Sequence, residues 1–184
     1  MKIYTKTGDK METSAMNRRV FKDDLVIHAV GTCDELSSSL MVSYHFIENE
    51  EIKAIIEEIV SDLFKVSADI IGYKDGNLIT PDRVTRFEEL IDSFEVRMPK
   101  LTKFIVQGKN KGSSHLHVSR TVSRRWERFT VSYAREGKLN NNVLLYLNRL
   151  SDLLFVMARY LDHDWSNYNN VVHFNVYSAS TNCV

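Results

Sequence analysis

The alternation of apolar and polar positions along the chain predicts five helices joined by short connectors. Isoleucine, leucine and valine recur every three or four residues in the second helix, which is the clearest of the five. Proline opens and ends the third helix, and Gly137 stops the fourth, whose start is predicted to be capped by serines. The predicted helices span residues 24–46, 50–73, 81–98, 113–137 and 142–164. Such a chain is expected to fold as an all-α, antiparallel four- or five-helix bundle.

Each helix carries an apolar stripe that is expected to face the core. In chain order the stripes comprise Ala29, Val30, Cys33, Leu36, Leu40 and Val42; Ile52, Ile55, Ile56, Ile59, Leu63, Val66 and Ile70; Val84, Phe87, Leu90, Ile91 and Phe94; Val118, Val122, Trp126, Phe129 and Tyr133; and Leu144, Leu147, Leu154, Phe155 and Ala158. Residues 1–21 and 166–184 have no helical period. They are predicted to be an N-terminal loop, with weak strand-like alternation over residues 2–7, and an irregular tail.

Length and composition indicate a single domain, residues 1–184, that can bury a substantial core. Acidic and basic residues balance at 24 each, so no broad attraction to nucleic acid or to a membrane is expected. Neither a signal peptide nor a membrane-spanning segment is expected, since the sequence shows no signal-peptide pattern and no apolar run long enough to span a bilayer. Cys33 and Cys183 have no metal or redox spacing, so reduced thiols and a cytoplasmic location are expected.

Three charged residues of the fourth helix share one face. Arg120, Arg124 and Glu127 stand at i, i+4 and i+7, nearly opposite the apolar stripe. Two guanidinium groups beside one carboxylate suit a polyphosphate with its metal ion. The alternative is a solvated face that holds an ordinary Arg–Glu pair.

The fifth helix carries polar residues on its apolar side. Asn148 and Ser151 lie inside the predicted stripe, and Asp152 lies at its edge. Polar groups on a buried face need partners, so they indicate either a ligand site or a satisfied network between helices.

The N-terminal segment supplies small donors and a carboxylate from Thr5, Thr7, Gly8, Asp9 and Thr13. A loop of this composition could wrap phosphates with its backbone N–H groups. The alternative is a plain surface turn.

Four segments give the sequence a family resemblance. In chain order they are KIYTKTGD, AVGTCDELSS, LHVSRTVSRRWER and YLNRLSDLLFVMAR. Over roughly residues 1–162 the chain resembles the PduO-type ATP:cob(I)alamin adenosyltransferases. The resemblance implies a ferritin-like helical bundle assembled as a homotrimer, with the active site between subunits. It also implies transfer of the adenosyl group of ATP to the cobalt of cob(I)alamin, whose Co(I) attacks C5′ of the ribose and displaces triphosphate.

The resemblance also implies roles for individual residues. ATP would be bound by Thr5, Thr7, Gly8, Asp9, Thr13, Lys22, Arg124, Glu127 and Asn148. Arg120, Arg124 and Glu127 would form the catalytic set, with Glu127 on the side of Mg²⁺ or the ribose. Cobalamin would meet Phe104, Asp152 and Phe155, and Phe104 would press on the lower corrin face and keep the dimethylbenzimidazole tail off cobalt. The alternative for Phe104 is core packing. Asp34 would pair with Arg120 across a subunit boundary, and a reductase or a cobalamin-dependent enzyme is a possible partner.

Several positions depart from the family pattern. Met11 replaces a glycine of the N-terminal signature, and Asn17 is the nearest match to a second lost glycine. Residues 107–109 replace Pro-Gly-Gly, and His115 and Trp126 replace alanines, so each is expected to add volume near the site. His115 and His117 could suggest a metal pair, but i,i+2 spacing on a helix directs them apart. These departures leave a second hypothesis open, a non-catalytic relative that keeps the trimer and binds corrinoid or nucleotide as a carrier or regulator.

Overall fold

The computed structural model describes residues 2–4, 6–16, 18–73, 77–102, 104–137 and 139–168, with side chains as far as His163. A short antiparallel hairpin precedes five helices that form a bundle, as the apolar pattern predicts. The elements are β1 (Glu12–Ala15), β2 (Arg18–Phe21), α1 (Leu25–His45), α2 (Glu50–Ile70), α3 (Pro81–Glu95), α4 (Lys111–Ala134) and α5 (Asn141–Tyr168). Thr5, Asn17, Gly76 and residues 169–184, the larger part of the predicted tail, lie outside the described residues.

The helices pack in an order that differs from their order in the chain. α1 lies between α2 and α4, and α5 lies between α4 and α3. Short linkers join α1 to α2 and α4 to α5, as expected for antiparallel neighbours. Within the described residues, no helix is long and apolar enough to cross a membrane.

Side chains of aspartate or asparagine cap the starts of α1, α2 and α4. Asp24 accepts from Val26 N at 3.0 Å to cap α1, and Asn49 caps α2. The prediction that serines cap α4 is wrong, because Asn110 is the cap and accepts from Ser113 N at 2.9 Å. Ser113 returns a bond by accepting from Asn110 N, which completes a capping box. The last helix continues to Tyr168, so residues 166–168 are helical and not part of an irregular tail.

The predicted apolar stripe of α2 is buried throughout, but two other positions are wrong. Val42 and Val118 are 44% and 54% exposed. The buried face of α4 instead includes Leu116, Ser119, Val122, Ser123, Trp126 and Thr130. Serine is small and satisfies its hydroxyl locally, so it can be buried where two helices approach closely. Ser119 does this, since its hydroxyl donates to His115 O at 3.1 Å on its own helix and lies 2.8 Å from Ser39 Oγ on α1.

The hairpin was not predicted, because its turn lacks the usual glycine. Met16 at the turn has φ +50°, and Met11 just before β1 has φ +64°. Lys22 N donates to Met11 O at 2.9 Å and closes the loop at its base. Methionine therefore occupies a backbone conformation that glycine takes at no cost. No strand precedes Glu12 in the described part of the segment.

Buried carboxylates stabilise the connection from α2 to α3. Asp69 accepts from Leu78 N at 2.7 Å and from Ile79 N at 2.9 Å, and Asn140 Nδ2 donates to it at 3.0 Å. About two turns earlier on α2, Asp62 accepts from Arg83 of α3 at 2.5 Å. Two of the acidic residues of α2 are therefore buried and bond the following segment, while the others are exposed or half-buried.

Candidate functional site

The candidate site residues of α4 and α5 meet in three facing pairs, which we call the α4–α5 row. Asn148 Nδ2 donates to Glu127 Oε1 at 3.3 Å, and Arg124 Nη1 approaches Ser151 Oγ at 3.5 Å. The guanidinium of Arg120 lies 6.0 Å from the ring centre of Phe155. Stepping back along α4 corresponds to stepping forward along α5, so the two helices run antiparallel. Asn148 and Arg124 are exposed, and the prediction that Asn148 lies on the buried stripe is wrong.

The two arginines of the α4–α5 row leave positive charge without a full set of partners. Burial, and secondarily the neighbouring charge of Arg124, lowers the pKa of Arg120 below its ordinary value. Arg120 Nη2 donates to Gln107 Oε1 at 3.1 Å, while its buried Nε has no partner among the described residues. An anion placed beside both side chains would relieve their repulsion.

Aromatic side chains follow at the Arg120 end of the row. Phe104 and Phe155 line an open groove of about 510 Å³, the aromatic groove, together with Leu101, Thr102, Ile105 and Gln107. Phe104 is 100% exposed, so the alternative of core packing is wrong. Asp152 lines an adjoining groove that Phe155 also borders. The three residues predicted to meet cobalamin therefore gather around Phe155.

The N-terminal residues form a separate surface. Gly8, Asp9, Met11 and Lys22 line a groove of about 780 Å³, the N-terminal groove, with Phe21, Asp23 and His28. Thr7 is exposed, and its carbonyl accepts from Arg19 at 2.8 Å. None of the described residues that line this groove belongs to α4 or α5.

Asp34 also stands apart from the α4–α5 row of its own chain. It lines a third groove of about 500 Å³ between α1 and α2, where Thr13 of β1 and the exposed Phe64 are neighbours. His28 on α1 stacks on Phe129, 4.9 Å between ring centres, at the edge of α4 that faces α1. Arg124 and Glu127 instead contact α5. The residues predicted to bind ATP are therefore divided between two sides of one chain.

Comparison with known proteins identifies the family of this chain. A family model described as cobalamin adenosyltransferase matches residues 3–161. The corrinoid adenosyltransferase of Bacillus subtilis (strain 168) is 37% identical over 165 residues, which cover 86% of each chain. The corrinoid adenosyltransferase MMAB of Bos taurus is 39% identical over 171 residues, 86% of this chain and 70% of that one. This chain belongs to the cobalamin adenosyltransferase family.

A solved structure extends the similarity to the fold. It is a variant PduO-type ATP:corrinoid adenosyltransferase from Lactobacillus reuteri, complexed with cobalamin and ATP. It superposes with a TM-score of 0.85 at 33% identity and covers 90% of this chain and 93% of that one. The bundle described above is therefore the adenosyltransferase fold.

Two departures from the adenosyltransferase pattern do not crowd the α4–α5 row, contrary to expectation. The indole of Trp126 is completely buried in the core. His115 stacks on Phe46 at the end of α1, 4.9 Å between ring centres. Helical periodicity directs both side chains away from Arg124 and Glu127. Of the altered positions that the structure describes, Met11 lines the N-terminal groove and Gln107 lines the aromatic groove.

The structure adds to this candidate site two residues to which the sequence analysis assigned no role in it. Gln107 bonds Arg120, and His117 packs behind Phe155 at 6.0 Å between ring centres. His117 is only 6% exposed, and neither ring nitrogen has a partner among the described residues. Burial, and secondarily the charge of Arg120, lowers its pKa, although Asp162 acts in the opposite direction. One signal for His117 was present in the sequence, because it lies three positions before Arg120 on α4 and so on the same side of that helix.

We expect His117 to make the protein less stable in acid. Because its folded pKa is depressed, the unfolded chain takes up a proton near its ordinary pKa of about 6.5 while the folded chain does not. The unfolding free energy should therefore fall as the pH drops below about 6.5, until it reaches the folded pKa. Urea denaturation of wild type and His117→Leu at about pH 7 and about pH 5.5 measures this difference. The variant should lose less stability between the two values, and equal losses would contradict the assignment.

Proposed function

We propose that this chain transfers the 5′-deoxyadenosyl group of ATP to the cobalt of cob(I)alamin, forming adenosylcobalamin and releasing triphosphate. The α4–α5 row is the observation that carries the proposal. It passes from a carboxylate and an amide, through two arginines, to the aromatic groove. Asn148 and Phe155 are seven residues apart on α5, which is about 10 Å along a helix. A nucleotide and a flat apolar macrocycle can therefore lie side by side.

The chemistry asks the protein for position and charge. Co(I) of the substrate is itself the nucleophile, so the chain need supply none. Arg124, exposed beside the partly desolvated Arg120, would hold the triphosphate and stabilise the negative charge that grows as it leaves. Asn148 and Glu127, which bond each other, would orient the nucleotide end.

Glu127 also fits a role towards Mg²⁺. Magnesium on a nucleotide is commonly held by one or two carboxylates together with phosphate oxygens and waters. Glu127 is half-buried, and of its two oxygens only Oε1 accepts the Asn148 bond. When bound, the ion would neutralise charge on the triphosphate. Glu127 would hold it on the nucleotide side of the α4–α5 row.

Phe104 fits the role of a wedge below the corrin. An aromatic ring that is wholly exposed in the chain gains apolar contact only when another molecule covers it. With Phe155 across the groove, it would offer the corrin a floor without hydrogen-bonding groups. Such a floor would leave the dimethylbenzimidazole tail no room to coordinate cobalt.

A homotrimer would complete the site. Asp34 and Thr13 line a groove on the α1–α2 side, away from the Arg120 of their own chain. If Arg120 of one copy pairs with Asp34 of the next, the N-terminal residues of that copy are brought to the α4–α5 row. A reductase partner and a cytoplasmic location stay predictions.

An anaerobic assay tests the proposed function. Purified protein with ATP, Mg²⁺ and chemically reduced cob(I)alamin should show the visible spectrum of adenosylcobalamin at a catalytic rate. Arg124→Ala should lower kcat by about 10²-fold, because it removes a donor to developing charge. Arg86→Ala is the control, since that arginine contacts only Glu58 on the remote α2–α3 side in the described contacts. No product from wild type would favour the non-catalytic carrier.

Replacing Met11 by glycine should strengthen ATP binding. The change relieves a positive-φ conformation that costs about 1 kcal/mol for a residue with a side chain, and it removes bulk from the N-terminal groove. Calorimetric titration with Mg-ATP measures the affinity. Met16→Gly is the matched control, because Met16 also has positive φ but does not line this groove. Unchanged ATP affinity in Met11→Gly would refute a role for this loop.

A charge exchange tests the proposed trimer. Asp34→Arg or Arg120→Asp alone would place like charges at the subunit boundary and should shift the protein towards monomer at micromolar concentration. The double variant restores an opposite-charge pair and should recover the trimer. Light scattering on a sizing column measures the mass directly. If both single variants stay trimeric, the pairing of Asp34 with Arg120 is wrong.

A further inference from the structure

The connector between α3 and α4 is tied to α5 by a buried carboxylate. Asp162 is 4% exposed and accepts from the backbone N–H groups of Gly108 at 3.1 Å and Lys109 at 2.7 Å. Ser113 Oγ donates to the same carboxylate at 2.5 Å. Asp162 thus fixes both the chain turn at Gly108–Lys109 and the first helical turn of α4.

The turn is also locked from its other side. Gly108 has φ +81°, and a Cβ placed on it would lie 2.6 Å from Ser114 Oγ. Ser114 Oγ donates to the Gly108 carbonyl at 3.1 Å, and Asn110 Nδ2 donates to Leu161 O at 3.1 Å. These bonds and the close approach of Ser114 together constrain the backbone at Gly108.

The other end of the connector, at Pro99, is also held by α5. Arg159, three residues before Asp162, donates to the carbonyl of Pro99. Between these anchors the chain gains little from burial, since Leu101, Phe104 and Val106 are all exposed. The position of the segment therefore depends on its two ends.

We propose that Asp162 is a positioning residue for the corrinoid step. By fixing Gly108 and Lys109 it sets where the preceding segment presents Phe104 to the aromatic groove. It also sets Gln107, the neighbour of Gly108 that bonds Arg120. Asp162 touches neither the corrin nor the nucleotide in this account and acts through the connector. The inference rests on the proposed function, because it assigns Phe104 to the corrin floor.

A second aspartate of this chain offers a matched control. Asp69 is also buried and also accepts two consecutive backbone N–H groups and one side-chain donor. Its turn, Leu78–Ile79, leads into α3 and lines none of the candidate grooves. Asparagine at either position keeps the shape and sets an NH₂ group against a backbone donor. Asp69→Asn and Asp162→Asn should therefore cost similar stability.

The experiment compares the two variants in the full-length protein. For each, the KM for cob(I)alamin, the KM for ATP and the thermal midpoint are measured. The spectrum of cob(II)alamin bound together with ATP is also recorded. It gives the fraction of cobalamin that is four-coordinate, that is, whose dimethylbenzimidazole tail does not coordinate cobalt. Asp162→Asn should raise the KM for cobalamin about tenfold and reduce the four-coordinate fraction, with the KM for ATP changed less than about twofold. Asp69→Asn should leave both cobalamin readouts at wild-type values.

Each outcome decides the inference. A wild-type cobalamin KM and spectrum in Asp162→Asn would overturn it, and so would equal cobalamin defects in both variants, which indicate general destabilisation. Should Asp162→Asn fail to fold, Gly108→Ala strains the same turn and must reproduce the cobalamin defect, or the inference fails. Inactive wild-type protein would count against the proposed function, whereas active wild type with an unaltered Asp162→Asn counts against the positioning role alone.

Discussion

The antiparallel register of α4 against α5 is the constraint on which the rest of the site depends. The register that sets Glu127 opposite Asn148 also sets Arg124 at Ser151, Arg120 at Phe155 and Ser113 at Asp162. Because both helices are rigid over this length, a slip of one residue would misplace every pair together. The nucleotide end, the corrin end and the anchor of the connector are thus consequences of one packing arrangement.

This arrangement leaves polar groups in costly positions. His117 and the Nε of Arg120 are buried without partners among the described residues, beside a second guanidinium. Burying an unpartnered polar group costs about 1–3 kcal/mol. The fully buried apolar side chains of Leu116, Leu147 and Leu154 offset that cost. A site that must receive triphosphate and a corrin is one place where such a cost would be retained.

Much of the fold follows from periodicity, because apolar spacing is local information. It gave the five helices and the buried stripe of α2, and it grouped Arg120, Arg124 and Glu127 on one face. It failed on α4, where Ser119 is buried against α1. It made no prediction for Phe104, which stands in a connector and whose exposure depends on having no neighbour in the fold. The site residues came from motifs. That the N-terminal groove and the α4–α5 row lie on different sides of one chain is tertiary information, which no local pattern contains.

The altered positions argue for a retained reaction once their locations are known. Trp126 fills the core, and His115 covers Phe46. Lys109 reaches Asp162 through its backbone N–H, which a glycine at the same position would also supply. Met11 keeps the positive φ of a glycine despite its side chain, so the loop geometry persists at a local cost. The chain has thus changed around the α4–α5 row and at the mouth of the N-terminal groove, while the residues that meet both substrates in the proposed reaction keep their chemistry.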